Sequence, residues 1–177
     1  MFELEVRLDN TTPAVWRRLL VPGTISLAKL HDVLQAAMGW DNAHLHSFRV
    51  GDALYGTQID DYPEDEIDES TVSVAEALQD QQAFLYEYDF GDTWKHHVAV
   101  VNRTTVPAGL RFAVCLGGES ACPPEDCGGT HGYALMLEAI ADPAHEEHGT
   151  YVRWLGRSFD PVAFDIAATN AALQTVR

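Results

Sequence analysis

Hydrophobic and polar residues alternate over the first eight positions of the chain. The apolar positions are Phe2, Leu4, Val6 and Leu8, and charged residues separate them. A period of two places successive side chains on opposite faces, so this segment is predicted to be a half-buried strand. The residues from Asp9 to Pro13 are typical of a turn, and a second strand is predicted from Val15 to Val21.

The next segment has the hydrophobic spacing of a helix. Ser26 is a favourable N-cap, and Gly39 suits the position after the last helical turn. The apolar positions that share one helix face are Leu27, Leu30, Leu34, Ala37 and Met38. Strands from His46 to Val50 and from Ala53 to Tyr55 are predicted to form a hairpin around Gly51-Asp52. The order β-β-α-β-β resembles a ubiquitin-like β-grasp in element order.

An acidic loop, a short helix and a second hairpin are predicted in the middle of the chain. The loop runs from Asp60 to Glu69, and Ser73 to Glu76 is a capping box that opens a helix through Leu78. The apolar positions of the following strand are Phe84, Tyr86, Tyr88 and Phe90, and they are expected to pack in the core. The turn Gly91-Asp92-Thr93 leads to a partner strand from Lys95 to Val101.

The last third of the chain is predicted to be mainly helical. The stretch from Asn102 to Thr130 shows no period and is expected to be irregular. Helices are predicted around Tyr133 to Ile140, around Tyr151 to Leu155, and from Asp160-Pro161 toward the C-terminus. No linker divides the chain, so residues 1–177 are expected to form one α+β domain with a mixed sheet in its N-terminal part.

Composition narrows the classes of partner. The 177 residues are 46% hydrophobic, which is enough for a core of ordinary size. Asp and Glu number 27 against 11 Lys and Arg, a formal net charge of −16. Such a chain repels phosphate backbones and anionic membranes, so direct nucleic-acid binding and membrane binding are not expected. The acidity is explained by solubility alone, or by a cationic protein partner or a metal ion.

Cysteine usage and the first residues bear on the cellular compartment. The three cysteines, Cys115, Cys122 and Cys127, are an odd number. Residues Met1 to Glu5 have neither the charge nor the apolar core of a signal peptide, and no run is long enough for a transmembrane helix. The cysteines are therefore expected to be reduced and the protein cytoplasmic.

Four blocks of residues resemble a known family. They are Val15–Arg18 with Leu30–Trp40 and His44–Phe48, then Tyr88–His96, then Cys122–Gly129 with Gly132-Tyr133, and finally Trp154–Phe164. In this order, over nearly the whole chain, they resemble the plasmid open-reading-frame-three-like family, first named from a root-inducing plasmid. The resemblance implies an α+β domain with a frequent link to mobile elements, and no established biochemical function. One departure lies at Arg111–Cys115, where the family tends to have a Tyr-Pro pair, so the strand entering that loop is expected to differ.

Some members of this family carry the label insertion-element passenger, resolvase-type, which can be tested against chemistry. A serine recombinase needs a serine nucleophile among several arginines and a basic DNA-binding tail. This chain ends in Ala171–Arg177, which is nearly uncharged, and its net charge opposes DNA binding. Recombinase activity is therefore not expected.

Cys122, Cys127 and His131 are a candidate zinc site. They place two thiols and an imidazole within ten residues, and zinc uses these ligand types. The spacing lacks a C-x2-C pair, and Pro123-Pro124 stiffens the gap, so a rigid turn with two buried cysteines is the alternative. A divalent metal such as zinc is the cofactor that these residues suggest.

A second candidate set offers oxygen and nitrogen ligands. It combines His44 and His46, which share a face if extended, with Asp89, Asp92 and His96 around one turn and with the pair Glu125-Asp126. Such residues can hold a divalent metal and activate water. The catalytic candidates are Asp89, Asp92, His96 and Glu125, and the metal-ligand candidates are His46, Asp92 and His96. The alternative is that the aspartates cap the turn and that the histidines are hydrogen-bonded core residues.

Two further features have a functional and a structural interpretation. Gly128-Gly129 precedes a helix and could present backbone N–H groups to an anion, but the lysine of a P-loop is missing and a simple turn is the alternative. The four tryptophans, Trp16, Trp40, Trp94 and Trp154, could form a cage for a cation or could serve packing alone.

Two functions stay open from the sequence. The first is a non-enzymatic binding or accessory module associated with plasmids or mobile elements, with a binding surface of Tyr88, Trp94, Asp126, Gly128 and Gly129. The second is a metal-dependent hydrolase-type enzyme built from His46, Asp89, Asp92, His96 and Glu125. A bound metal together with convergence of these side chains is the observation that favours the enzyme.

Overall fold

The computed structural model describes residues 1–57, 66–105, 112–156 and 158–176. Within these ranges the strands are β1 (Phe2–Leu8), β2 (Trp16–Val21), β3 (His46–Val50), β4 (Ala53–Gly56), β5 (Ile67–Asp68), β6 (Ala83–Tyr88), β7 (Trp94–Arg103) and β8 (Val114–Glu119). The helices are α1 (Leu27–Met38), α2 (Val74–Leu78), α3 (Gly129–Ala141), α4 (His148–Leu155) and α5 (Ile166–Leu173). The predicted loop residues Asp60, Asp61, Glu64 and Asp65, and the divergent Arg111, lie outside the described residues.

A sheet of eight strands organises the described residues, in the order β5-β4-β3-β6-β7-β1-β2-β8. Every neighbouring pair is antiparallel except β4 and β5, which run parallel. The β6–β7 hairpin lies between the β1–β2 pair and the β3–β4 pair, so the first four strands do not form one continuous block. The α+β prediction and the β-β-α-β-β order of the first five elements are confirmed.

The alternation of residues along the strands decides which face of the sheet is buried. The buried positions of β1 and β6 are Phe2, Leu4, Val6, Leu8, Phe84, Tyr86 and Tyr88, while Arg7 is exposed. Helix α1 packs into the same core through Leu27, Leu30 and Leu34, each 1% exposed or less. Burial of one such side chain stabilises the fold by about 1.5–3 kcal/mol, so the apolar stripe of α1 is sufficient reason for its position.

Both predicted caps of α1 are present. The Ser26 hydroxyl accepts a hydrogen bond from the Lys29 N–H at 3.2 Å, and Gly39 has a φ of 86° while its N–H donates to the Gln35 carbonyl. Left-handed backbone at Gly39 ends the helix and directs residues 40–45 toward the β6–β7 turn. The predicted capping box of Ser73 and Glu76 also forms at the start of α2. None of the described helices is long and apolar enough to span a membrane.

Two sequence predictions about elements are wrong. The stretch predicted to be irregular contains β8, which pairs with β2 and includes Gly117 and Gly118. A Cβ at Gly118 would lie 2.8 Å from the Trp16 carbonyl oxygen, so close approach of two backbones requires glycine there and weakens the strand signal. The last helix begins at Ile166 and not near Asp160, because Asp165 caps it by accepting from the N–H groups of residues 167 and 168.

Candidate metal centre

Three loops meet at one end of the sheet and bring four polar side chains together. His44 comes from the loop between α1 and β3, Asp89 from the turn after β6, and Glu125 and Asp126 from the segment before α3. These loops are far apart in sequence, and the pairing of β3 with β6 places the first two side by side. We call these four residues the histidine–carboxylate cluster.

The cluster converges on one nitrogen atom. Nε2 of His44 lies 3.2 Å from Oδ1 of Asp126, 3.3 Å from Oε2 of Glu125 and 3.7 Å from Oδ2 of Asp89. One ligand atom each from His44, Asp89 and Asp126 lies within 4.8 Å of the other two. Metal–ligand bonds of about 2.0–2.2 Å give neighbouring ligand atoms a separation of roughly 3 Å, so these distances suit a shared ion.

The same nitrogen has no hydrogen bond to a described residue. Nε2 of His44 is shielded from solvent, and none of the three nearby carboxylates meets hydrogen-bond geometry with it. The short distances and the missing hydrogen bond are compatible, because a hydrogen bond requires favourable angles as well as a short distance. A ring nitrogen in that position has the geometry of a metal ligand, and a protonated ring would be an ion-pair partner at the same place.

Backbone donors orient the carboxylates. Asp89 has a φ of 57°, and its Oδ1 accepts from the N–H groups of Gly91 at 2.9 Å and Asp92 at 3.3 Å. The other oxygen, Oδ2, is the one that faces His44. The turn-capping role predicted for Asp89 is therefore confirmed, and it is combined with a place in the cluster.

Tyr88 holds Glu125. Its hydroxyl lies 3.0 and 3.1 Å from the two oxygens of Glu125 and accepts a hydrogen bond from the Ala43 N–H at 3.0 Å. Burial, followed by the contact with Glu125, raises the pKa of Tyr88 well above its ordinary value, so the phenol stays protonated and donates. The Asp41 N–H also donates to Oε1 of Glu125 at 2.8 Å. Carboxylates in metal sites are commonly oriented by outer partners of this kind.

The glycines of the segment before α3 connect it to the β6–β7 turn. The Gly128 N–H donates to Oδ2 of Asp92 at 3.0 Å. Gly129 has a φ of 66°, and a Cβ there would lie 2.5 Å from the Asp92 carbonyl oxygen. Asp92, Gly128 and Gly129 thus fasten two of the three loops together, beside the cluster and outside its ligand atoms.

Two predicted site residues lie in the core, away from the cluster. His96 is 0% exposed, its Nδ1 lies 3.1–3.2 Å from the carbonyls of Trp94 and Tyr86, and burial lowers its pKa to about 4. Trp94 is 1% exposed and packs against Trp40. The structure does not bring His96 or Trp94 to the His44 nitrogen.

His46 belongs to a separate buried network. Its Nε2 lies 2.9–3.0 Å from the carboxylate of Glu69, and its ring stacks on His31 at 3.4 Å between centroids. The sequence suggested that His44 and His46 share a face if extended. In the structure β3 begins at His46, His44 lies in the preceding loop, and the two imidazoles face different carboxylates.

Cys122, Cys127 and His131, all among the described residues, do not form a comparable group of ligand atoms. Among the described residues, the one group of three ligand atoms within 4.8 Å of each other is that of His44, Asp89 and Asp126. Burial raises the pKa of Cys122 and of Cys127 to about 12, so both thiols are protonated near neutral pH. All three cysteines are free, and His131 is exposed at the start of α3.

Comparisons with known proteins agree over the whole chain. The sequence profile of the family described as plasmid pRiA4b ORF-3-like protein matches residues 1–168. A protein of Sinorhizobium fredii (strain NBRC 101917 / NGR234), named uncharacterized protein y4hQ, is 44% identical over 173 residues, which are 96% of this chain and 89% of that protein. The crystal structure of the protein of unknown function MM3350 from Methanosarcina mazei Go1 has a TM-score of 0.85 at 33% identity, covering 94% of this chain and 95% of that one.

Proposed function

The chain belongs to the plasmid pRiA4b ORF-3-like family, and because the names of its relatives state no activity, we propose its function from the geometry of the cluster. The protein binds one divalent metal ion through His44, Asp89 and Asp126, with the carboxylate of Glu125 beside them, and acts as a non-enzymatic binding module. The observation that supports this proposal is the buried Nε2 of His44, which lies among three carboxylates without a hydrogen bond to a described residue.

The donor set selects a class of metal. One imidazole and three carboxylates carry three negative charges, so a divalent ion reduces the negative charge of the site from −3 to about −1. Imidazole suits zinc, iron and nickel, while carboxylates alone suit calcium and magnesium. The mixed set therefore favours Mn²⁺, Fe²⁺ or Zn²⁺ over Ca²⁺.

One side of the site is open to a partner. The Asp126 side chain is 72% exposed, in contrast to 10% for Asp89 and 18% for Glu125. A metal bound by His44 and Asp89, the less exposed ligands, would face solvent on the Asp126 side. A protein partner that supplies an oxygen or nitrogen ligand would complete the coordination there, so metal and partner binding would reinforce each other.

The direct test is metal affinity in a matched pair of variants. His44→Ala removes a ligand, and we expect Mn²⁺ or Zn²⁺ affinity, measured by calorimetry on purified protein, to fall by more than about 100-fold. Changing an outer partner of a metal ligand already costs about 10- to 100-fold. His97→Ala changes an exposed histidine of β7 and should leave affinity unaltered. Wild-type protein that binds no divalent ion, or equal affinity in both variants, would refute the proposal.

A second candidate function is metal-dependent hydrolysis. A cavity of about 340 Å³ is lined by His44 together with His31, His46 and Glu69, so a histidine–carboxylate pair lies next to the cluster. Such a pair is a general base of the right chemistry. Turnover of bis-p-nitrophenyl phosphate that requires Mn²⁺ and disappears in Asp89→Asn would favour this function, and absence of turnover in metal-loaded protein would favour the binding module.

A further inference from the structure

A second cavity lies between the end of α1 and the C-terminal helices. Its volume is about 680 Å³, within the range of small-molecule sites. Its lining includes Trp40 beyond α1, Trp154 of α4, and Phe159 and Phe164 from the segment before α5. We call it the aromatic cavity.

Aromatic faces are available in this cavity. The Trp154 side chain is 47% exposed, and Phe159 is partly buried. Trp40 is held in place at the inner end by a hydrogen bond from its Nε1 to the Pro123 carbonyl at 2.9 Å. Phe164 already takes part in one contact of the kind that the cavity favours, because the guanidinium of Arg17 lies 4.5 Å from its ring centroid.

The charges around the cavity have one dominant sign. Its lining includes the carboxylates of Asp41, Asp160 and Asp165, together with Glu125, whose charge belongs to the metal site. Among the described lining residues the one opposite charge is Arg17. Arg17 is 4% exposed, and its guanidinium donates hydrogen bonds to the backbone carbonyls of residues 16, 37, 119 and 120.

We propose that the aromatic cavity binds a small organic cation, an ammonium or guanidinium group on a short apolar chain. The aromatic rings contact the charge and the apolar chain, and the carboxylates at the rim supply the opposite charge. An anionic ligand would meet three carboxylates, and Arg17 already donates four hydrogen bonds to backbone carbonyls. This site is distinct from the metal centre, and its ligand is a free amine or the side chain of a lysine or arginine.

Tryptophan indole signals provide a test with internal controls. Choline is titrated into ¹⁵N-labelled full-length protein, in parallel with its neutral isostere 3,3-dimethylbutan-1-ol. We expect choline to shift the indole N–H signals of Trp40 and Trp154 and to leave Trp16 and Trp94 unmoved, because Trp16 bonds to Glu119 and Trp94 is 1% exposed in the core. Equal shifts with the neutral isostere, or none at Trp40 and Trp154, would overturn the proposal.

Variants separate the aromatic from the electrostatic contribution. Trp154→Ala should weaken choline binding roughly 3- to 30-fold, the range of a partly desolvated cation–π contact, with Trp40 as the reporter. Asp41→Asn, at an exposed position, should also weaken choline binding. It should leave the response to the neutral isostere unchanged. Phe112→Ala changes an aromatic residue that is 55% exposed and outside this cavity, and should have no effect. Unaltered affinity in both Trp154→Ala and Asp41→Asn would contradict the inference.

Two further titrations identify the source of the cation and test whether its site is independent of the metal centre. Butylamine and Nα-acetyl-lysine amide distinguish a free amine from a lysine side chain, because the peptide groups of the second compound must also fit at the mouth. The titration is repeated with His44→Ala protein, which should bind choline as the wild type does. Loss of choline binding in that variant would place the cation in the metal centre and refute a separate site.

Discussion

At the scale of single residues, hydrogen bonding determines the protonation of the buried histidines. Nε2 of His31 lies 2.6 Å from Oδ1 of Asn42, which can only accept a hydrogen bond, so the ring proton is on Nε2. Nδ1 of the neutral ring therefore accepts from the Tyr86 hydroxyl at 2.7 Å, and that hydroxyl also accepts from Nε2 of Gln35 at 3.0 Å. Burial lowers the pKa of His31 to about 4, in agreement with this neutral form.

The buried His96 predicts how stability depends on pH. Its folded pKa is about 4, whereas an unfolded histidine titrates near 6.5, so the unfolded state binds more protons between these values. Above about pH 6.5, His96 does not reduce the unfolding free energy. As the pH falls from there toward 4, protonation of the unfolded state should lower the unfolding free energy by about 3 kcal/mol. His96→Gln cannot take up a proton, so denaturant titrations should show a shallower loss over this window.

His97→Gln is the matched control, because His97 follows on the same strand and is exposed. It should keep the wild-type slope. If His96→Gln also kept that slope, His96 would not be responsible for the acid sensitivity.

The cluster shows what sequence reasoning can reach at this scale. Asp89, Glu125 and Asp126 were predicted as candidate residues from their chemistry and their position in turns. The sequence indicated His46 as the metal-ligand candidate, although His44 is the residue in the cluster. The two are separated by one residue, and β3 begins at His46, which leaves His44 in the preceding loop. That boundary depends on pairing with β6, a long-range contact that a local pattern does not encode.

At the scale of elements, α5 protects the edge of the sheet. Oδ1 of Asn170 accepts from the Cys115 N–H at 2.9 Å, and its Nδ2 donates to the Cys115 carbonyl at 3.0 Å. The side chain thus acts as a one-residue strand partner for β8. Covered edges resist pairing with other chains.

Asn170→Ala should therefore loosen this edge. It leaves a part-buried N–H and carbonyl without their partner, which costs about 1–3 kcal/mol of unfolding free energy by chemical denaturation. Amide exchange at Cys115 should accelerate in the same variant. Gln174→Ala, at the exposed end of α5, should do neither; equal behaviour of the two variants would show that the Asn170 contacts carry no stability.

Element prediction succeeded where burial and period agree and failed where they do not. β1, α1, the β3–β4 hairpin and the capping box of α2 follow local spacing and were predicted closely. β8 was missed because Gly117 and Gly118 reduce its apolar signal and its partner, β2, lies nearly one hundred residues earlier. The Asp160-Pro161 signal marks a turn, since Oδ1 of Asp160 accepts from the Val162 N–H.

At the scale of the whole molecule, the proposed metal would act as a cross-link between three loops. A ligand that binds the folded state alone stabilises it by about 2.7 kcal/mol when its concentration is 100 times its Kd. Saturating Mn²⁺ should therefore raise the melting temperature in 150 mM NaCl, where the −16 charge is already screened over about 8 Å.

The His44→Ala variant separates a specific site from general neutralisation of an acidic protein. Its melting temperature should not respond to micromolar Mn²⁺. If the variant were stabilised as much as the wild type, the ion would act on the surface charge as a whole.

The pairing of β1 with β7 affects how the chain reaches its fold during synthesis. The N-terminal amine donates to the carbonyl of Thr104, and Phe2 is paired with Arg103. At about 5–20 residues per second, the ribosome needs several seconds to deliver this partner after the first hairpin has emerged. During that interval one edge of β1 has its hydrogen-bonding groups exposed, so nascent chains stalled before residue 103 should be the form that chaperones hold most strongly.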